Sequence, residues 1–255
     1  MAGLRPSFID LHPTHDVGGY LVTNEAPEIH MELIKDLPLG RVASIASGGE
    51  IPLLVLLPKA DVVAVDHSYR ALAICYLKAC VLDILGPTDT KELFTKKTYG
   101  ECQSVFDKIL PELPDVLRAK APVMEHYNYA ATKIEWALAS ISQLEQTCRR
   151  LNCLSLVHGD LTDIASMGPF DAFYASNALE HSGRQEKGTP TFESFKALIK
   201  EHGYLLLAGN PHHKGAGFKA FKEVAQKGGR TAWIHRLYQH TTPDVVTPAA
   251  VPVPV

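Results

Sequence analysis

The chain has 255 residues, 46% hydrophobic and 21% charged, which is enough material for one sizeable core rather than two small domains. A formal charge of -3 and a pI near 6.4 exert no global pull toward nucleic acid or an anionic membrane. Five cysteines, odd in number and without a C-x-x-C pair, argue against a disulfide framework or a zinc knuckle and read as reduced thiols, mostly core.

Residues 1–35 read as an N-terminal cap segment; the start "MAGLRPSFIDLHPTHDVGG" lacks the apolar stretch of a signal peptide. No window approaches the roughly 18 unbroken apolar residues of a membrane span, so the expectation is a cytoplasmic protein without membrane insertion. Residues 36–240 read as one domain. Within it, short runs rich in Val, Ile and Leu at 41–47, 61–66, 154–158, 170–175 and 203–208 predict strands buried on both faces of a parallel sheet. Helical periodicity fills 51–57, 69–85, 101–118, about 126–150, 191–201 and 216–227. Lys214, Lys219, Lys222, Lys227 and Arg230, in and beside the last of these, form a local basic cluster that reads as a solvated helix face. Strands alternating with helices predict an α/β, doubly wound, mostly parallel sheet.

One interval departs from that rhythm. Between Asp66 and Leu154 lie 87 residues, where a crossover needs about 20 to 30. A helical insertion at about 87–150, between the second and third of these strands, is expected, as a cap or an added packing layer. Residues 241–255, "TTPDVVTPAAVPVPV" from position 241, read as a mobile Pro-rich tail.

Ligands of open parallel sheets sit beyond the carboxyl ends of the strands. After the first run come Ser47, Gly48, Gly49 and Glu50, a turn that permits close backbone approach, with Pro52 suited to the first turn of the next helix. After the second come Asp66 and His67, about twenty residues on, where a carboxylate would accept both ribose hydroxyls of a nucleoside. After the third, "HGDLTD" offers Asp160 to an adenine amino group and Leu161 to the ring face. After the fourth, Ser176 and Asn177 would stand beside the reactive end of the ligand, with helix capping as the alternative role. "SGGEIP" is not the G-x-G-x-x-G of a dinucleotide site, and the chain contains no G-x-x-x-x-G-K-[ST] loop. A nucleoside ligand without phosphates remains, and S-adenosyl-L-methionine (SAM) is the commonest on such a scaffold.

The segments "TNEAPEIHMELIKDL", "IASGGEIPLLVLLPKADVVAVDHSYRALAICYLKACVLDIL" and "HGDLTDIASMGPFDAFYASNALEH" resemble the SAM-dependent 3-amino-3-carboxypropyl transferases, the family that includes the betaine-lipid synthase BtaA. The resemblance spans roughly 20–86 and 154–208. Its distinctive parts are I-A-S-G-G and the helix after Asp66 that bears Tyr76 and Lys78. It implies a Rossmann-like class I SAM-methyltransferase fold, displacement at the γ-carbon of the methionyl arm and release of methylthioadenosine. Family members tend to carry Asp or Cys-Asn after the glycines and Glu-Asp-Pro near the N-terminus, where this chain has Glu50 and Asn24-Glu25-Ala26-Pro27. The short chain also argues against a diacylglycerol acceptor.

The sulfonium activates three carbons, and orientation decides which is attacked. Three outcomes stay open: aminocarboxypropyl transfer to a small acceptor, intramolecular cyclisation as in azetidine-2-carboxylate synthases (a lyase reaction), and methyl transfer releasing S-adenosylhomocysteine. Tyr174, or Tyr127, Tyr129 or Trp136 of the insertion, would face the sulfonium through cation-π attraction, with core packing as the alternative. His181 is a candidate general base, Asn24 and Glu25 would cover the cofactor, and helix-surface or loop placement is the plainer role for each. The clusters His12, His15, Asp16 and His212, His213 match no zinc template, so no metal is expected. Expected partners are a small-molecule substrate and a second copy in a homodimer, with no nucleic acid. A non-catalytic nucleoside sensor, or an RNA binder using residues 214–230, is the reading from a different class.

Overall fold

A computed structural model describes residues 3–13, 26–121, 126–161, 163–175, 192–209, 221–228 and 234–241. Its strands are β1 (Ser7–Asp10), β2 (Arg41–Ile45), β3 (Asp61–Asp66), β4 (Leu154–His158), β5 (Phe170–Tyr174), β6 (Ile199–Gly209), β7 (Phe221–Gly228) and β8 (Ile234–His240). They form one sheet in the order β1-β4-β3-β2-β5-β6-β8-β7, parallel except that β8 runs against both its neighbours. This is a doubly wound, Rossmann-like sheet, extended by β1 at one edge. The order reverses between β2 and β5, so the crevice at their carboxyl ends is the ligand-binding position that the topology favours.

The strands form where they do because their runs are buried on both faces. Val42 and Ala43 of β2 have no exposed surface, and the core divides into one apolar cluster on each side of the sheet. The β2–β5 register is pinned at its start by Asp171, whose Oδ2 accepts from the backbone N–H of Gly40 at 2.9 Å and of Arg41 at 2.7 Å.

The described helices are α1 (Pro27–Ile34), α2 (Tyr69–Lys96), α3 (Tyr99–Ile109), α4 (Asp115–Lys120), α5 (His126–Leu138), α6 (Ile141–Arg149) and α7 (Phe192–Leu198), with a wide i→i+5 turn at Ile51–Leu56. The predicted helix over 69–85 continues to Lys96 through a kink at Gly86 (φ 76°) and Pro87, where the insertion was expected to begin. By length and composition α2 is apolar enough to cross a membrane, with a mean hydropathy of 1.5, yet 67% of that window lies inside the protein. Beyond the kink, α3 to α6 pack back onto α2 as a second helical layer on that face of the sheet. That layer buries the residues of the wide turn, Ile51 to Leu56. Its last carbonyls are capped from α6: Thr147 Oγ1 donates to Leu53 O at 3.0 Å, Gln143 Nε2 donates to Leu54 O, and Arg150 Nε, just past α6, donates to Leu57 O at 2.8 Å.

Several sequence expectations are corrected. The single helix expected over about 126–150 is two, because Ser140 caps α6 by accepting from Gln143 N–H at 3.1 Å. The helix expected over 101–118 is α3 and α4, separated by a turn at Leu110-Pro111. The helix expected over 216–227 is strand β7 from Phe221 onward, so Lys222 and Lys227 sit on an exposed edge strand, a placement that discourages edge-to-edge pairing. Strand β1 was not predicted within the N-terminal segment, nor was β8. Lys214, Lys219, Arg230, His15, Asp16, His212, His213 and the tail from residue 242 lie outside the described residues.

Candidate ligand site at the carboxyl ends of the strands

The Ser47-Gly48-Gly49 turn closes directly on the end of β2. Gly49 N–H donates to Ala46 O at 2.9 Å, and Ser47 takes a left-handed conformation at φ 46°, uncommon for a residue with a side chain. Gly49 sits at φ 94°, and a Cβ there would lie 3.0 Å from Cys75 Cα and 3.1 Å from its Sγ. This glycine therefore lets the turn sit against α2, which is a packing need. Burial pushes the Cys75 thiol up to about 12, so it backs the turn as an inert apolar group.

Beneath the turn lies a buried ion pair. Lys78 of α2 donates to Gly48 O at 2.8 Å and to Glu50 Oε1, and both charged side chains are at 0% exposure. Thr132 of α5 reaches the same Glu50 oxygen at 3.5 Å, at the limit of a hydrogen bond. The structure thus directs the Glu50 carboxylate down into the interface with the helical insertion. Spacing alone did not point to Lys78 as the partner of this turn; only the family resemblance drew in its helix.

Asp66 ends β3 half-buried, and both carboxylate oxygens are oriented by backbone donors: Ser47 N–H to Oδ2 at 3.1 Å and Ser68 N–H to Oδ1 at 3.0 Å. The second bond closes the turn that starts α2, whose N-cap is Ser68. Each oxygen keeps a lone pair for a further donor. Burial pushes the carboxyl above its ordinary value, opposed by His67, the two N–H bonds and His158. Gly159 N–H donates to Asp66 O at 3.0 Å, joining the third loop to the second.

In register across three strand ends stand Asp10, His158 and Asp66. His158 is fully buried, its Nδ1 2.9 Å from Asp10 Oδ1 and its Nε2 3.2 Å from His67 O, and it stacks on Tyr69 with centroids 3.6 Å apart. Tyr69 OH donates to Asp10 Oδ2 at 2.7 Å, and these partners hold the Asp10 carboxyl below its usual range against the opposing effect of burial. No sequence signal points to Asp10 or Tyr69, while His158 opens the "HGDLTD" segment that contains Asp160.

The remaining candidates divide. Ser47, Gly48, Gly49, Asp66, His67, Asp160 and Leu161 come together at the ends of β2, β3 and β4. Asp160 is exposed and shares reciprocal bonds with Asp163: Asp160 N–H donates to Asp163 Oδ2 at 2.6 Å, and Asp163 N–H to Asp160 Oδ1 at 3.3 Å. Leu161 is buried in the apolar cluster on the second face of the sheet. Tyr174 ends β5 at 1% exposure, edge-on to His30 of α1 at 4.8 Å, and its hydroxyl has no hydrogen-bond partner among the described residues. Trp136 packs on Phe94 at 4.5 Å inside the helical layer, which is core packing. Ser176, Asn177, His181, Asn24 and Glu25 lie outside the described residues, as do the side chains of Tyr127 and Tyr129. Among the described residues, no three potential metal ligands converge.

No family model and no curated protein matches the sequence. Solved structures that resemble the fold include the N-methyltransferase NodS from Bradyrhizobium japonicum WM9, at 11% identity over 84% of this chain and 96% of that one, TM-score 0.43. The putative methyltransferase yhhF from Escherichia coli is similar at 10% identity over 89% and 97%, TM-score 0.40. The glycopeptide N-methyltransferase MtfA in complex with SAM is similar at 14% identity over 89% and 69%, TM-score 0.32.

Proposed function

We propose that this chain is a SAM-dependent enzyme that displaces at the γ-carbon of the methionyl arm, releasing methylthioadenosine. The observation that carries the nucleoside half of this reading is Asp66: a carboxylate at a strand end, fixed from two sides by Ser47 N–H and Ser68 N–H, with one lone pair on each oxygen left for a pair of ribose hydroxyls. The choice of the γ-carbon over the methyl group rests on the resemblance of I-A-S-G-G and the Lys78 helix to aminocarboxypropyl transferases.

SAM supplies the chemistry, an activated sulfonium that leaves as a neutral thioether. The protein's part is to bind, orient and exclude water. Asp66 would take the ribose and Asp160 the base. The buried hydroxyl of Tyr174, without a partner among the described residues, would meet a polar group of the ligand's amino-acid end or hold the sulfonium against the ring face. Ser176 and Asn177, which follow Tyr174 after Ala175, would bind the α-amine or carboxylate, and His181 would serve as base for an acceptor.

Incubation of the purified protein with SAM alone, with products identified by mass spectrometry, separates the outcomes. Methylthioadenosine with a cyclic C4 imino acid indicates cyclisation, and methylthioadenosine formed only with an added acceptor indicates transfer. S-adenosylhomocysteine as the sole nucleoside product would overturn the γ-carbon assignment in favour of a methyltransferase.

A further inference from the structure

We infer that β1, the strand added to the edge of the sheet, is part of the nucleoside site, with Asp10 and His12 as its positioning residues. This rests on the reading of Asp66 and Asp160 as nucleoside ligands. Asp10 does not face a ligand itself; it acts through a chain of contacts. Its two carboxylate oxygens take up Tyr69 OH at 2.7 Å and His158 Nδ1 at 2.9 Å. His158 Nε2 lies 3.2 Å from His67 O, the carbonyl of the residue after Asp66. His158 thus stands between the Asp10 carboxylate and the His67 carbonyl, with one ring nitrogen toward each. The peptide between Asp66 and Ser68, whose N–H fixes Asp66 Oδ1, is thereby held from the far side by a residue that β1 keeps in place. Leu11 N–H extends the tie by donating to His158 O at 3.0 Å.

Two residues further on, the same strand end reaches the next loop. His12 Nε2 lies 2.9 Å from Asp163 Oδ2, the oxygen that accepts Asp160 N–H at 2.6 Å. The pair sets the orientation of the turn that presents Asp160, and Asp163 in turn raises the affinity of His12 for its proton. β1 and the two residues after it therefore buttress both loops that would hold ribose and base. At its other end the strand has an ordinary structural link, Ser7 Oγ to Ser155 Oγ at 2.9 Å, remote from those loops.

That difference supplies the test. Binding of methylthioadenosine and of its 2′-deoxy analogue is measured by calorimetry for wild type, Asp10→Asn, His12→Gln and Ser7→Ala, with melting temperatures alongside. Asp10→Asn leaves one acceptor oxygen for two donors, and the expected result is about a tenfold loss of affinity for methylthioadenosine. The penalty should shrink for the deoxy ligand, which lacks one of the two hydroxyls that Asp66 would hold. His12→Gln should lose less, about threefold, since its site is exposed to water. Ser7→Ala should lower the melting temperature without changing either affinity. Equal affinities in wild type and Asp10→Asn, or an equal penalty for both ligands, overturn the inference alone. A wild type that binds neither ligand overturns the nucleoside reading and the inference with it.

Discussion

Replacing Lys78 by Met would leave Glu50 as a carboxylate with no exposed surface and its cation gone. Breaking a buried pair from one side costs about 3–5 kcal/mol, because the remaining acid stays buried without its cation. The lost bond to Gly48 O adds roughly 1 kcal/mol. A chain of this size moves by roughly 2–4 °C per kcal/mol, so a fall in melting temperature of at least about 8 °C is expected. The double variant Lys78→Met/Glu50→Leu removes both charges from the same volume and should recover more than half of that loss, since an apolar replacement of a buried pair is often neutral. It should not recover ligand affinity, because the Gly48 carbonyl has lost its anchor and the turn that positions Ser47 N–H is free to shift. Thermal and urea denaturation of the three proteins, with calorimetric titration of S-adenosylhomocysteine, measures both effects. A single variant within 1 kcal/mol of wild type, or a double variant no more stable than the single, refutes the reasoning.

Asp66→Asn is expected to abolish nucleoside binding and to lower stability by roughly 1 kcal/mol, because its amide nitrogen cannot accept the backbone N–H that one carboxylate oxygen now takes. The folded carboxyl titrates above its unfolded value, so its contribution to stability is present below the unfolded pKa and is lost as pH rises through the folded one. By the same shift, wild-type affinity should begin to fall on acidification at a higher pH than an ordinary aspartate would give, which a pH series of binding constants reads directly. Gly49→Ala combines a left-handed backbone with a Cβ 3.0 Å from Cys75 Cα, and should cost about 2–3 kcal/mol. Cys75→Ala should fail to rescue it, because the contact is with the backbone carbon. Tyr174→Phe removes a buried hydroxyl without a partner among the described residues, and should leave the melting temperature unchanged or raise it by a few degrees while turnover falls. Unchanged turnover would make Tyr174 a core residue only.

The strands β2 to β6 and the turn after β2 were legible because their signals are local: apolar runs ended by Gly, Asp or His, and an Asp-His-Ser sequence that folds its own helix start around Asp66. The edge strands were not. β1 is four residues with a single partner strand 148 positions away, and five of the eight residues of β7 are Lys, Glu, Ala or Gln, which favour helix until pairing with β8 overrides them. The split at Ser140 carries a cap signal of its own, but the apolar spacing continues across it and masks the break.

By itself the sequence determined the doubly wound core and the residues that follow its central strands, since buried strands and glycine turns are written in neighbouring positions. Which way those residues face was decided only by the tertiary structure. Glu50 stands beside Gly49 in the chain yet turns down to Lys78, 28 positions away, and Asp10 meets His158, 148 positions away, from the edge strand. A carboxylate's role depends on the donors brought to it and on the water taken from it, and both are properties of the packed molecule.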